Sequence, residues 1–362
     1  MLAFVAVTGF LGAGKTTTLA AIARRLEQQG RRVAIITNDQ GDDLVDTRVA
    51  GPAATGIGEV TGGCFCCRFD DLLEVIQSVV AASPVDTILA EAVGSCTDLQ
   101  ATVVRPMKQL YGDRFAVAPL VTVVDPQRYA EVRRSIALTD AESDMAYLYR
   151  QQLTEADVLA VNKSDLTAAD DVVAELSEHY DGVVLRYSAR TGDGLDELLA
   201  ALERPGNSAV DLDVDYDRYA AAEAELAWLN HSYQLRLPAG VGSADWADTL
   251  LREISRRTAD NGWTVGHVKV SVSSDDAISK LSLTTAGAEP QLDLRAAPLK
   301  TESTAIALVN ARVACEPAEL DEVLEAAVAV ASRAAAAAPI NAVAAFKPGY
   351  PRPVHRIRVA AG

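Results

Sequence analysis

The stretch Gly9-Phe10-Leu11-Gly12-Ala13-Gly14-Lys15-Thr16 constrains this chain more than any other segment. It satisfies the pattern G-x-x-x-x-G-K-[ST] in full. Its flanks agree with it, because Leu2 to Val7 reads as a buried strand and Thr17 to Gln29 as a helix. Glycines between a strand and a helix let backbone N–H groups turn inward on phosphate oxygens, and the helix N-terminus adds its positive dipole end. A chance glycine turn seldom falls in such a context. Gly9, Gly12, Ala13, Gly14 and Thr17 are therefore expected to line a nucleotide's phosphates. Lys15 is expected to reach the β- and γ-phosphates, and Thr16 to ligate Mg2+.

The first two hundred residues repeat one rhythm, short apolar runs separated by amphipathic stretches, which predicts a mostly parallel α/β sheet with helices on both faces. The predicted strands are Leu2–Thr8, Val33–Thr37, Thr87–Ala92, Ala118–Val124, Val158–Asn162 and Val183–Ser188. The predicted helices are Lys15–Gln29, Asp70–Ala82, Leu99–Tyr111, Ser143–Leu153, Ala168–His179 and Gly194–Leu202. A chain of 362 residues has room for two domains. The rhythm changes after Pro205-Gly206-Asn207-Ser208, which places a P-loop domain at 1–205 and a second domain at 211–338.

Three further segments follow predicted strands at their carboxyl ends, where ligands of open α/β sheets gather. Asn38-Asp39-Gln40-Gly41-Asp42-Asp43 is polar and acidic, and beside a P-loop it reads as a switch segment, with Asp39 its candidate contact. A solvated turn would have the same composition. Glu91-Ala92-Val93-Gly94 pairs a carboxylate with a glycine. Glu91 is expected to hold Mg2+ through water, and the Gly94 N–H to meet the γ-phosphate. In Asn162-Lys163-Ser164-Asp165, the aspartate can accept from guanine N1–H and N2–H2, a donor pair adenine lacks. Asn162 is expected to orient the loop and Lys163 to lie over the base. Ser188-Ala189, at the end of the sixth predicted strand, is expected to offer a backbone N–H to guanine O6. The nucleotide is thus read as GTP.

Gly62-Gly63-Cys64-Phe65-Cys66-Cys67-Arg68 opens a predicted helix. Three of the five cysteines crowd into four positions, a poor disulfide framework that can present two or three sulfurs to a soft or borderline cation such as Zn2+ or Cu+. A helix N-terminus is expected to lower their pKa values and favour thiolates. Three sulfurs leave a tetrahedral site open at its fourth position. Buried structural cysteines and a redox pair remain alternatives, the second weakened because the spacing is not C-x-x-C. Cys96 reads as a small packed side chain.

The second domain reads strand Leu226–Leu237, helix Ala244–Asn261, strands Val265–Ser273, Ile278–Thr284 and Thr304–Ala314, then helix Pro317–Ala335. This pattern predicts a smaller C-terminal α+β (ferredoxin-like) domain without a catalytic constellation. His231 and His267 stand isolated and form no ligand cluster. Residues 339–362 form a basic, proline-rich tail in an otherwise acidic chain, read as extended and docked on the acidic body or a partner, or as a frayed terminus. The formal net charge of −17 argues against a nucleic-acid face. No run approaches the roughly 18 apolar residues of a membrane span, and the first apolar run reads as a strand rather than a leader. A cytoplasmic protein is expected, with clustered thiols in a reducing compartment.

Together, Gly9–Thr17, the Gly62–Cys67 cysteine motif, Glu91–Gly94 and Asn162–Asp165 resemble the CobW family of P-loop GTPases, over about residues 1–205. That family contains proposed metallochaperones, cobalamin-associated proteins and nitrile hydratase activators. The resemblance implies Mg2+-dependent GTP hydrolysis, with Zn2+ or Co2+ held at Cys64, Cys66 and Cys67 and handed to a client metalloenzyme or cofactor-dependent enzyme. Lys15, Thr16 and Glu91 would carry the hydrolysis. No residue stands out as a water-activating base, so slow intrinsic turnover is expected, and a nucleotide-dependent homodimer is compatible with such a switch. The family's Asn-Glu-Phe-Gly switch appears here as Asn38-Asp39-Gln40-Gly41, and the histidine-rich stretch of many members is absent, which argues against bulk zinc storage. Two further readings stand beside it. One is a GTP-dependent activation chaperone that carries no metal; the other is a metabolite kinase, disfavoured by the guanine motif.

Overall fold

The computed structural model describes residues 1–41, 45–139, 142–166, 169–206, 210–274, 277–297 and 302–359. The chain forms two compact units: Met1–Gln40 with Asp46–Ala222 and Tyr350–Gly362, and Gly41–Val45 with Glu223–Gly349. Residues 350–359 thus belong to the first unit and 339–349 to the second. Asp42 and Asp43 of the predicted switch lie outside the described residues.

The strands of the first unit are β1 (Leu2–Thr8), β2 (Val33–Asn38), β3 (Gly56–Val60), β4 (Thr87–Glu91), β5 (Phe115–Val117), β6 (Val121–Val124), β7 (Val158–Val161) and β8 (Val183–Arg186). Among the described residues they make one sheet in the order β3-β2-β4-β1-β6-β7-β8, with β5 also on β1. Every pairing is parallel. The carboxyl ends of β1, β2, β4, β6, β7 and β8 therefore share one edge, which carries every nucleotide motif read from the sequence.

The helices of this unit are α1 (Lys15–Gln28), α2 (Val45–Ala50), α3 (Phe69–Ala82), α4 (Arg105–Leu110), α5 (Pro126–Thr139), α6 (Asp144–Thr154), α7 (Asp170–His179), α8 (Leu195–Leu202) and α9 (Tyr216–Ala224), the first and last residues of α2 and α9 falling in the second unit. In α1 the spacing of Leu19, Ile22, Ala23 and Leu26 puts a buried stripe against the sheet, and Gly30, at φ 84°, terminates it.

Several elements differ from the sequence expectations. The predicted strand Ala118–Val124 begins only at Val121, as β6; a separate short strand β5 precedes it, with Pro119 between the two. The predicted helix Leu99–Tyr111 opens as a π-turn over Gln100–Val104 before α4. Strand β3 falls outside every predicted strand, because Gly56 and Gly58 give it little strand propensity. Those glycines let α3 pack closely: a Cβ at Gly58 would stand 2.5 Å from Val75 Cγ1, and one at Gly56 2.8 Å from Val79 Cγ1.

The second unit contains β9 (Ala227–Leu237), α10 (Ser243–Asp260), β10 (Val265–Ser274), β11 (Ala277–Leu283), β12 (Gln291–Leu294), β13 (Ser303–Val313), α11 (Pro317–Ala331) and β14 (Ala336–Ala342). Its antiparallel sheet runs β12-β11-β10-β13-β9-β14. Without the β11–β12 hairpin, the order β14-β9-β13-β10 is the ferredoxin-like arrangement of a split βαβ pair. Val268, Val270, Val272, Ala307 and Val309 pack with Trp246, Leu250 and Leu324 in one core. The predicted helix to Ala335 stops at Ala331, and the alanine run turns into edge strand β14, where Pro339 is tolerated because an edge leaves one side unpaired. His231 is satisfied locally, its ring nitrogens 3.1 Å from Tyr233 Oη and 2.9 Å from Val343 O. No described helix is long and apolar enough to cross a membrane.

Candidate functional site

The loop after β1 has the backbone that its glycines were expected to permit. Gly9, Gly12 and Gly14 have φ values of 135°, 80° and 96°. A Cβ at Gly9 would lie 2.3 Å from Val123 O, and one at Gly14 2.5 Å from Asn162 Nδ2. Lys15 is buried and its Nζ donates to Gly9 O at 2.8 Å, so the ammonium is folded into the loop's own cradle. Thr16 Oγ1 donates to Glu91 Oε1 at 3.0 Å, which joins a hydroxyl and a carboxylate at the edge of the cradle. That oxygen pair is the donor set a hard divalent cation such as Mg2+ takes. Gly94 backs onto the same place: a Cβ there would be 3.1 Å from Lys15 Nζ and 2.6 Å from Leu11 Cδ2. Ala13 is buried, Thr17 is exposed, and Thr18 is tied to Gly14 O at 2.9 Å and Tyr187 Oη at 2.6 Å.

The base-side motif is assembled around Asn162. Its Nδ2 donates to Ala13 O at 3.0 Å and its Oδ1 accepts from the Ala189 N–H at 3.0 Å, linking the P-loop to the loop after β8. Lys163, in the left-handed region at φ 61°, donates from Nζ to Gly12 O at 2.9 Å and Asp125 Oδ2 at 2.7 Å. Asp165 accepts from Ser188 Oγ at 2.6 Å and pairs with Arg190. Burial pushes its carboxyl up, but the Ser188 hydroxyl and Arg190 outweigh that and hold it below its ordinary value. The backbone amides proposed for O6 are engaged within the loop. Ser188 N–H donates to Asp193 O at 2.8 Å and Ala189 N–H to Asn162, so a base contact requires one of these bonds to give way.

The switch and cysteine segments meet at the end of β2. Asn38 Nδ2 donates to Val60 O at 2.9 Å and Gly63 O at 2.8 Å, and its Oδ1 accepts from Phe65 N–H at 2.9 Å. The adjacent Asp39 donates its N–H to Val60 O at 3.2 Å. On the other side, buried Gln152 of α6 donates from Nε2 to Gly94 O at 3.0 Å and Cys96 O at 2.9 Å. Gln152, the Asn38 amide and Asp125 are contacts that sequence reasoning missed. All three act on residues far along the chain, so no local pattern announces them.

Cys64, Cys66 and Cys67 bring their Sγ atoms within 4.8 Å of one another. The Cys64–Cys67 and Cys66–Cys67 separations are 3.5 and 3.7 Å, and Cys64–Cys66 is 2.7 Å. Cys64 and Cys66 are buried and Cys67 is partly exposed. Their thiols titrate high, contrary to the lowered values expected at a helix N-terminus. For Cys66 the crowding by Cys64, then Cys67 and Cys96, raises it, with burial added. Cys67 is pushed up to about 11, chiefly through Cys64. At Cys64, contacts with Cys66 and Cys67 lower it, but Cys96 and burial prevail. The physical reason is position: α3 opens only at Phe69, and the thiols face one another in the preceding turn. Metal binding must therefore displace protons.

The basic tail docks on this first unit. Arg352 N–H donates to Cys67 Sγ at 3.1 Å and Val354 N–H to Cys66 O at 2.8 Å. The His355 ring meets Phe69 edge-on at 5.0 Å. Arg356 Nε reaches buried Asp98 at 2.6 Å, and Ile357 N–H reaches Ala101 O at 2.8 Å.

A model of the "CobW/HypB/UreG, nucleotide-binding domain" matches residues 3–187. The zinc chaperone CobW of Pseudomonas aeruginosa is 30% identical over 192 residues, 45% of this chain and 49% of that protein. The zinc chaperone YjiA of Escherichia coli is 30% identical over 163 residues, 43% of this chain and 50% of that one. The chain thus spans about half the length of these curated relatives. Among solved structures, the Zn(II)-bound YjiA GTPase from Escherichia coli aligns over 91% of this chain and 98% of its own, at 15% identity and a TM-score of 0.38, too distant to bear on chemistry.

Proposed function

Because the chain belongs to the CobW/HypB/UreG family of nucleotide-binding domains, we propose that it is a GTPase switch that carries a transition metal on Cys64, Cys66 and Cys67 and passes metal, or a metal cofactor, to a client protein. The observation that carries this reading is the convergence of three thiols on a loop that Asn38 ties to the sheet edge bearing the P-loop.

In this reading Lys15 leaves Gly9 O to meet the β- and γ-phosphates, and the N–H groups of Gly12–Thr17 hold the phosphate chain. Thr16 and Glu91 would hold Mg2+, which when bound neutralises phosphate charge. Asp165 reads guanine, while Asn162 and Lys163 fix the P-loop against the base-binding loops. Gly94, beside Lys15 Nζ, senses the γ-phosphate, and Asp39 sits on the strand end that Asn38 joins to the cysteine loop. Hydrolysis therefore changes two segments that flank the thiols, which is how nucleotide state alters metal affinity. The cargo is a metal that accepts thiolates, Zn2+ or Co2+.

A Zn2+ and Co2+ titration under reducing, anaerobic conditions tests this, comparing GDP- and GTP-analogue-loaded protein with a Cys64/Cys66/Cys67→Ser triple variant. A tight site that shifts with nucleotide and vanishes in the variant is the expected result. Equal weak binding in all samples would overturn metal carriage and leave a GTP-dependent client activator.

A further inference from the structure

Cys96 stands at the end of the β4 loop, two residues past Gly94 and 30 residues from Cys66 in sequence, yet its Sγ lies 3.8 Å from Cys66 Sγ. It is fully buried, so the contact is made inside the protein. Four thiolates around one tetrahedral ion, with metal–sulfur bonds of about 2.3 Å, have sulfur–sulfur separations of about 3.8 Å. The Cys64–Cys67, Cys66–Cys67 and Cys66–Cys96 pairs already stand at 3.5, 3.7 and 3.8 Å. The Cys64–Cys66 pair, at 2.7 Å, has to open by about 1 Å, and Cys96 has to draw in toward the three-thiol group, whose mutual spacing within 4.8 Å it does not yet share.

We propose that Cys96 is the fourth ligand of a closed Cys64–Cys66–Cys67–Cys96 tetrathiolate site for a tetrahedral divalent cation of the Zn2+ class. The proposal rests on the reading of Cys64, Cys66 and Cys67 as metal-holding thiols. The fold supports it independently of spacing in the sequence. Strand β2 lies between β3 and β4, so the loops after β3 and β4 flank the end of β2 and bring the two cysteine sources together. Gln152 holds the β4 loop through the carbonyls of Gly94 and Cys96, which fixes Cys96 against the cluster. The Arg352 N–H on Cys67 Sγ gives the most exposed sulfur a donor that stabilises its thiolate.

The arrangement assigns a role to each loop. Cys64, Cys66 and Cys67 come as one unit from the β3 side, whereas Cys96 moves with Gly94. Withdrawal of the β4 loop would convert a closed four-sulfur site into an open three-sulfur site from which a client's ligands can take the ion. Four sulfurs also select for Zn2+ over cations that prefer oxygen or square-planar ligands.

X-ray absorption of the full chain loaded with Zn2+ in the GDP state decides the matter, with Co2+ visible spectra and competitive titration on Cys96→Ser and Cys96→Ala alongside. The expected result is four sulfur neighbours at about 2.3 Å in the wild type. In Cys96→Ser, three sulfurs and one lighter atom are expected, with affinity lowered at least about tenfold and thiolate-to-cobalt absorption reduced. Three sulfurs plus a lighter neighbour in the wild type, or an unchanged spectrum and affinity in both variants, would overturn the assignment and leave the three-cysteine site standing. Absence of a tight Zn2+ site in the wild type would overturn both. The wild-type spectrum decides even where a variant fails to fold.

Discussion

Asn38→Ala is the perturbation that bears most directly on how nucleotide and metal communicate. The Asn38 side chain makes three hydrogen bonds, to Val60 O, Gly63 O and Phe65 N–H, and is buried. At about 1 kcal/mol each, they contribute about 3 kcal/mol to holding the cysteine loop on the end of β2. Val60 O keeps the Asp39 N–H as a partner, so the uncompensated loss falls on Gly63 O and Phe65 N–H, about 2 kcal/mol. The thiols and the P-loop are untouched. If coupling of the usual 1–3 kcal/mol runs through this amide, wild-type protein shows a roughly 5- to 150-fold difference in Zn2+ affinity between GDP and GTP-analogue states. The variant should bring that ratio close to unity while retaining a tight metal site. Chelator-competition titration in both nucleotide states, with urea unfolding as the stability control, measures this. An unchanged ratio in a folded variant would refute the reasoning, since the loop would then respond to nucleotide without the Asn38 tie to β2.

Asp165→Ala should abolish the preference for GTP over ATP, with guanine affinity falling at least about 100-fold because two base donors lose their acceptor; fluorescent-nucleotide competition reads it. Arg356→Ala removes the cation 2.6 Å from buried Asp98, leaving mainly the Tyr216 hydroxyl at 2.8 Å. Because Arg356 is partly exposed, a loss of about 2 kcal/mol is expected in urea unfolding, and release of the tail should speed alkylation of Cys67. Glu155 is fully buried, and burial, followed by the charge of Asp98, pushes its carboxyl up to about 8 from an ordinary 4.5. The folded chain keeps a proton that the unfolded chain releases, so stability falls as pH rises from about 4.5 to about 8. Glu155→Gln, whose carbonyl oxygen keeps an acceptor for the Gln100 N–H while its NH2 can donate to the Thr97 hydroxyl, should flatten that slope in unfolding curves across the same window.

The sequence was legible where local rules and tertiary structure agree. Strands β1, β2, β4, β7 and β8 lie within a residue or two of the apolar runs that predict them; β2, β4 and β7 are buried along their whole length, and a strand buried on both faces has to be continuously apolar. Legibility failed where packing overrode propensity. The alternating glycines of β3 look like a loop until the Val75 and Val79 side chains above them are seen. In α11 and β14 the alanine-rich stretch carries no stop signal, and pairing with β9 decides the boundary.

The nucleotide motifs were legible because a parallel sheet makes order along the chain equivalent to position along one edge. Asn162 bonds Ala13 across 149 residues for that reason, and the expectation that it orients the loops follows from its place after a strand. The cysteine motif was legible as a cluster but not as a geometry. Nothing in C-x-C-C reveals that crowding and burial raise its thiols, nor that the tail returns to cover Cys67. Cys96 was read as packing because its neighbours are set by the order β3-β2-β4, which follows from how crossovers lay strands beside one another rather than from spacing. That same order places Asn38 between the Cys64–Cys67 loop and the Gly94–Cys96 loop. A strand end that touches the thiol loop on one side and lies next to the Gly94 loop, proposed to meet the γ-phosphate, on the other is where nucleotide and metal would bias one another without any long relay.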